Sequence, residues 1–320
     1  MTTRKDITGL DKVNPGAAVR GMRTLFAKRP DALPVAPNHL YLEAQSAPAF
    51  AGARYRARLH AQAYVHVNRA GAPDSNAWAV LLHPNFLNGR IMAERIGPFY
   101  YERGFNLLAP DLRSFGKSSG KVALGFLEAL DTYDWLQQLN RQFSPKSVVV
   151  HGLSLGGATV NFLSGIHGFF AGAKGTPEER TTAHDRAASA AQAAVAPATP
   201  AFQPLASLHV TGLVADGGYT NLGAFGTPEK LGKRTGIPTE RFAYLADARN
   251  SLRHNTLPML VIQGARDTLV APENARLIAQ ATQGPVTVWD TADEWHIFVL
   301  LGNRTDEYRN RLHAFLDSLP

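Results

Sequence analysis

The 320-residue sequence contains no cysteine. That absence removes disulfides, thiol nucleophiles and thiolate-ligated metals, and it leaves the redox compartment undecided, because a cysteine-free chain suits either environment. No run of about 18 apolar residues occurs, which excludes a membrane-spanning helix. The opening residues, MTTRKDITGLDKV, lack the apolar centre of a secretory signal, so the chain reads as soluble, with the cytoplasm favoured. Clustered metal-ligand spacings of the H-E-x-x-H kind, internal repeats and heptads are also missing. Gly116-Lys117-Ser118 looks like the end of a phosphate loop, but the earlier glycine that such a loop requires falls on Asp111. Gly152 to Gly157 lacks G-x-G-x-x-G spacing, which removes a dinucleotide site.

Charge is present in excess and unevenly spread. The net charge is +7, and much of it sits at the front, where Arg4, Lys5, Lys12, Arg20, Arg23, Lys28 and Arg29 face only Asp6 and Asp11. No aromatic residue interleaves with these cations before Phe26, which makes a poor nucleic-acid platform. Val19, Met22 and Phe26 at helical spacing suit either a short amphipathic helix touching a membrane surface or a tail packed on the body with a solvated basic face. Residues 1–50 are therefore read as a basic arm and residues 51–320 as the main domain. With 45% hydrophobic residues the chain can bury a large core.

Tyr55 to His60 and Ala63 to Val67 alternate like two half-buried strands, expected as antiparallel neighbours at a sheet edge. Farther on, Trp78 to Leu82, Phe105 to Ala109, Ser147 to Val150, Val210 to Val214, Met259 to Ile262 and Val286 to Trp289 are short apolar runs separated by helix-length segments. That is the pattern of parallel strands covered on both faces. A final helix is expected near Asp306 to Leu316. In such a sheet, ligands bind outside the carboxyl ends of the strands, so reactive residues should follow the apolar runs.

They do. Val148-Val149-Val150 leads into His151-Gly152-Leu153-Ser154-Leu155-Gly156-Gly157, a G-x-S-x-G turn in which small residues flank one serine between a strand and a helix. A serine hydroxyl at neutral pH needs a base, and the base needs a carboxylate to fix its tautomer. Of the eleven histidines, His296 is the one in a loop after a late strand, while His151 reads as a packed polar residue. Asp267, after Val261-Ile262-Gln263-Gly264, is the leading acid, and Asp216, after the Val210 strand, is the alternative. Asp293 and Glu294 are read as modulators or solvated charges.

The chain resembles the α/β-hydrolase superfamily over residues 50 to 320, with serine, acid and histidine in the order Ser154, Asp267, His296. Pro110 to Ser118 and Asp216-Gly217-Gly218-Tyr219-Thr220 look like segments of its serine esterase and peptidase branches. The resemblance implies an α/β-hydrolase fold, a mostly parallel central sheet with helices on both faces and a short cap, and acyl transfer to water without a cofactor. It also implies an oxyanion hole from the backbone N–H groups of Leu155 and Asn85. Two departures accompany it. His83-Pro84 stands where His-Gly is usual, and proline has no N–H. Glu294-Trp295 stands where a glycine usually precedes the base.

Gly165 to Pro204 should emerge at the edge opposite the site, as a surface appendage or subunit contact, with Ala183 to Ala196 helical. Gly223 to Asn250 leaves a strand at the reactive edge and should form the cap. There Phe225, Phe242, Tyr244 and Leu245 suit an acyl pocket or core packing. Phe86, Tyr219, Phe225 and Trp295 are candidate substrate contacts. The expected partner is a small-molecule ester, not a nucleic acid, and the oligomeric state is left open. Amide or peptide hydrolysis by the same groups, or a hydrolase-like binding protein that lost turnover through Pro84 or Trp295, are the alternatives.

Overall fold

A computed structural model describes residues 33–67, 75–171, 202–222, 227–235 and 247–320. The basic residues at positions 4 to 29, the expected helix from Ala183 to Ala196, and Phe225, Phe242, Tyr244 and Leu245 lie outside the described residues.

The strands are Asn38–Glu43 (β1), Arg58–Tyr64 (β2), Ala77–Leu82 (β3), Asn106–Asp111 (β4), Ser147–Leu153 (β5), Val210–Asp216 (β6), Met259–Gly264 (β7) and Val286–Thr291 (β8). They form one sheet in the order β1-β2-β4-β3-β5-β6-β7-β8. Only β2 runs against its neighbours; from β4 to β8 every pairing is parallel. The helices are Ser46–Ala51 (α1), Gly89–Arg95 (α2), Gly97–Tyr101 (α3), Phe126–Phe143 (α4), Leu155–Leu163 (α5), Ile166–Ala171 (α6), Pro228–Thr235 (α7), Arg249–Leu252 (α8), Glu273–Ala281 (α9) and Thr305–Asp317 (α10). Among the described residues no helix is long and apolar enough to cross a membrane.

Strand alternation divides the core in two. Trp78, Val80 and Leu82 of β3, Val148 and Val150 of β5, and Met259 and Val261 of β7 face one side, against α1, α4, α5, α8 and α9. Ala79 and Leu81, Val149 and Leu153, and Leu260 and Ile262 face the other, against α2, α3 and α10. A strand buried on both faces must be apolar at every position, which is why these segments read as continuous runs.

Two expectations need correction. Tyr55 to His60 and Ala63 to Val67 do not form two strands. Residues 58–64 make the single strand β2, because Ala61-Gln62 offers no turn residue that would let the chain reverse. Tyr55 instead closes a short helical turn at Ala53–Tyr55. The antiparallel neighbour of β2 is β1, with Asn38 opposite Ala63 and Glu43 opposite Arg58, so β2 is interior and β1 is the edge. The sheet therefore takes in residues 38–43, ahead of the boundary expected at residue 50.

The order reverses around β3, whose neighbours are β4 on one side and β5 on the other. Beyond the carboxyl ends of β3 and β5 lies the crevice of this switch point, and the loops after these two strands meet there. The segment after β4 is anchored from below. The Arg113 guanidinium, fully buried, grips both oxygens of Asp131 on α4 at 2.6 and 2.7 Å. Burial raises the Asp131 carboxyl to about 7, against the pull of that cation. Glu128 and Asp134 are buried on the same helix. Removing one partner of a buried pair leaves the other charge uncompensated. Arg113→Leu should lower unfolding free energy by about 3–5 kcal/mol in a urea titration at pH 7; a change under about 1 kcal/mol would show that the pair is not holding this segment.

Candidate active site

The turn between β5 and α5 is strained at one residue. Ser154 has φ 52° and ψ −109°, a conformation that side chains rarely adopt. It persists because the surrounding backbone leaves no alternative. The Ser154 N–H donates to the Asp216 carbonyl at 2.7 Å, and the Ala158 N–H donates to the Ser154 carbonyl at 2.8 Å. A Cβ on Gly152 would lie 2.1 Å from the Gly156 carbonyl oxygen, and one on Gly156 would lie 2.2 Å from that of Leu82. Glycine at these two positions lets strand, turn and helix close on one another and lifts the hydroxyl out of the sheet edge.

Three sequence-predicted residues meet above this turn. His296 Nδ1 lies 2.6 Å from Asp267 Oδ2, and His296 Nε2 lies 2.7 Å from Ser154 Oγ. A carboxylate only accepts, so Nδ1 carries the proton and Nε2 is left to accept from the serine hydroxyl. Asp267 is itself held. Its Oδ1 accepts from the Leu269 and Val270 N–H groups, both at 2.8 Å, and its Oδ2 also accepts from Gln263 Nε2 at 3.0 Å. The Asp267 side chain is shielded from solvent, whereas that of His296 stays 11% exposed.

Asp216, the alternative acid, makes no contact of this kind with the histidine. Its carboxylate accepts from the Tyr308 hydroxyl at 2.9 Å, behind the sheet edge. Tyr308 in turn lies 3.0 Å from His151 Nε2, and His151 Nδ1 lies 3.1 Å from the Tyr100 hydroxyl. The donors run one way, from Tyr100 to His151, from His151 to Tyr308 and from Tyr308 to Asp216. Burial drives His151 down to about 3 and raises Asp216 to about 7. His151 is thus a neutral, packed link in a polar string, and Asp216 serves the site through its main chain. The next residue, Gly217, has φ 57°, and a Cβ there would stand 3.0 Å from the His296 ring.

On the opposite wall is the loop after β3. His83 is fully buried; its Nε2 accepts from the Leu112 N–H at 2.9 Å and its Nδ1 donates to the Pro84 carbonyl at 2.7 Å. Burial lowers it to about 4, so it is neutral. Pro84 contributes a carbonyl here, and its lack of an N–H leaves no donor unpaired. Asn85 is half-buried, its Oδ1 accepting from the Phe86 N–H at 3.1 Å, and Phe86 sits at φ 65° with 58% of its surface exposed. The Leu155 N–H is the first of α5 and has no acceptor within its helix.

The other candidate contacts divide. Trp295, immediately before His296, is 50% exposed. Tyr219 does not line the site: it is buried among core residues and its hydroxyl donates to the Leu124 carbonyl at 3.0 Å, a correction that follows from its facing the α4 side of the sheet. Asp293 and Glu294 are both paired. Arg304 binds Glu294 at 3.0 Å and Asp293 at 2.6 Å, tying the histidine loop to the start of α10. The sequence carried no periodic signal for Arg304 or Tyr308, but Gln263 was legible as a polar residue at the end of an apolar run. Among the described residues no three metal-ligating side chains converge.

A family model described as "Alpha/beta hydrolase family" matches residues 79–310. No curated protein matches the chain. Among solved structures, an esterase from Pyrococcus furiosus is 18% identical with a TM-score of 0.56, the alignment covering 91% of this chain and 99% of the esterase. A Xanthomonas campestris serine hydrolase described as lacking a lid is 14% identical at TM-score 0.52, covering 90% and 97%. A Butyrivibrio proteoclasticus protein solved with ferulic acid bound is 12% identical at 0.55, covering 86% and 97%. These are likenesses of fold.

The buried string predicts a pH-dependent cost. Tyr308→Phe removes the donor that favours ionised Asp216. Below the raised Asp216 pKa the acid is neutral and only the His151 N–H loses its acceptor; above it the charge is also buried with one donor fewer. The loss in stability should be about 1–3 kcal/mol at pH 8 and smaller at pH 5. Thermal unfolding at the two pH values checks it, and a loss that grows toward pH 5 would contradict this assignment.

Proposed function

The chain belongs to the alpha/beta hydrolase family, and from that premise we propose that it is a serine hydrolase cleaving small carboxylic esters through an acyl-enzyme. The observation that carries this reading is the continuous relay from Ser154 through His296 to Asp267, with hydrogen bonds of 2.7 and 2.6 Å.

Ser154 Oγ attacks the acyl carbon as His296 Nε2 takes its proton. The carbonyl π pair moves onto oxygen, and the resulting oxyanion accepts hydrogen bonds from the backbone N–H groups of Leu155 and Asn85. Asp267 stabilises the imidazolium and keeps it oriented. When the tetrahedral species collapses, the alcohol leaves with the proton from Nε2, and the acyl group stays on Ser154. Water then repeats the sequence: His296 removes its proton, the hydroxyl adds to the acyl carbon, and Ser154 departs with the proton returned from Nε2. The carboxylic acid is released and the enzyme is restored.

Phe86 follows Asn85 and Trp295 precedes the base in the sequence, and both side chains are exposed. We read these two side chains as contacts for apolar groups of the ester. The Pyrococcus neighbour is named an esterase, in keeping with an ester rather than an amide substrate. Pro84 and Trp295, the departures that favoured a binding protein without turnover, leave both hydrogen bonds of the relay in place.

Turnover of p-nitrophenyl acetate and butyrate should fall by at least about 10³-fold in Ser154→Ala and in His296→Ala. Unchanged hydrolysis by folded Ser154→Ala overturns the mechanism. Cleavage of the matching anilides but not of the esters by the wild type would transfer the same machinery to amides.

A further inference from the structure

A second aspartate–histidine pair lies outside the relay. Asp111, at the end of β4, is 6% exposed, and His60, on the adjacent β2, is 2% exposed. His60 Nδ1 donates to Asp111 Oδ2 at 2.7 Å, and His60 Nε2 is then the acceptor for exposed His39 Nδ1 at 2.9 Å. The Ser118 hydroxyl meets the pair only through their backbones, accepting from the His60 N–H at 2.9 Å and donating to the Asp111 carbonyl at 2.7 Å, so proton transfer to a substrate is not the use of this pair.

What the Asp111 carboxylate holds is backbone. Its Oδ1 accepts from the Gly89 N–H at 2.9 Å, and its Oδ2 accepts from the Lys117 N–H at 2.8 Å as well as from His60. Gly89 is the first residue of α2, where the loop after β3 ends. The other end of that loop, His83, is held by the N–H of Leu112, the residue after Asp111. The segment that carries Asn85 is therefore fastened at both ends to two consecutive residues of the chain leaving β4. No glycine lies between His83 and Asn88, and one residue inside, Phe86, sits at positive φ. A strained turn of this kind keeps its shape only where its ends are fixed.

We propose that Asp111 and His60 are positioning residues for the oxyanion loop: His60 aims the Asp111 carboxylate at Gly89, and that contact sets where the Asn85 N–H points. The proposal rests on the reading of Asn85 as an oxyanion donor. It assigns the pair to the transition state and not to substrate binding, because the oxyanion exists only after attack.

The full-length wild type, His60→Leu, His60→Asn and Asp111→Asn are compared with p-nitrophenyl acetate, counting active sites by burst titration. An asparagine amide nitrogen occupies nearly the position of Nδ1 and restores the donor. His60→Leu should lower kcat per titrated site about 10- to 100-fold, leave KM within about threefold, and weaken binding of a small alkylboronic acid, which forms a tetrahedral adduct with serine, by the same factor as kcat. His60→Asn should recover most of both. Should His60→Leu not fold, Asp111→Asn, which keeps the shape, is expected to show the same matched losses. A kcat per site within twofold of wild type, or a fall in kcat that boronate affinity does not follow, overturns the proposal even where the melting temperature drops. Absence of any wild-type ester turnover would instead overturn the esterase reading, and that failure appears in a separate arm.

Discussion

Everything at this site depends on how closely three backbones approach where β5 turns into α5. The Gly156 Cα rests against the Leu82 carbonyl of β3, and the Ser154 amide is bonded to the Asp216 carbonyl of β6. One residue at positive φ thereby fixes three strand ends relative to one another. The His83 loop leaves from β3, the Gly217 segment that backs the imidazole leaves from β6, and the nucleophile stands between them. A side chain at either glycine would separate layers that the hydrogen bonds of the relay require to be in contact, since those bonds tolerate only a few tenths of an ångström.

Three aspartates at strand ends take on different tasks because of what surrounds them. Asp267 has four hydrogen-bond donors, including two backbone N–H groups, which fix its carboxylate beneath the imidazole. Asp111 also collects backbone donors, but its histidine is locked between strands with no substrate within reach. Asp216 has the Tyr308 hydroxyl and a wall of aromatic rings, and burial pushes it toward neutrality. The residue type is the same and all three are buried; the number and kind of donors decide whether it orients a base, fastens a loop or closes a polar string.

Much of this was legible in the sequence, for physical reasons. The five parallel strands β3 to β7 announced themselves because burial on both faces demands unbroken apolar runs, β8 read as such a run although it is a half-exposed edge, and the serine was conspicuous because few turns need glycines on both sides. The base followed from the requirement for a loop residue beyond a late strand. β1 was hidden because Asn-His-Leu-Tyr-Leu-Glu is half exposed and alternates only weakly, and β2 was split in two because Ala61-Gln62 dilutes its hydrophobicity. Asp216 and Asp267 were equivalent on sequence grounds, both following apolar runs. What separates them is the direction of each side chain, fixed for Asp216 by Tyr308 on a helix far along the chain and for Asp267 by Gln263 and the Leu269 and Val270 N–H groups. Tyr219 misled for a similar reason, since an aromatic residue near a motif carries no mark of which face it occupies.

The attachment of His296 has a consequence for how activity is lost. Its loop is fastened to Arg304 at the threshold of α10, and α10 packs on the outside of the sheet through Tyr308, Leu312 and Phe315. The nucleophile, by contrast, is built into the centre of the sheet. Proteins open in cooperative units of unequal stability, and α10 with the loop before it packs against one face of the sheet only. Partial unfolding would then carry away the base while the serine turn and its strands stay intact. The molecule in that state would keep a preformed elbow with an unactivated hydroxyl, so activity would be lost while the sheet still stands.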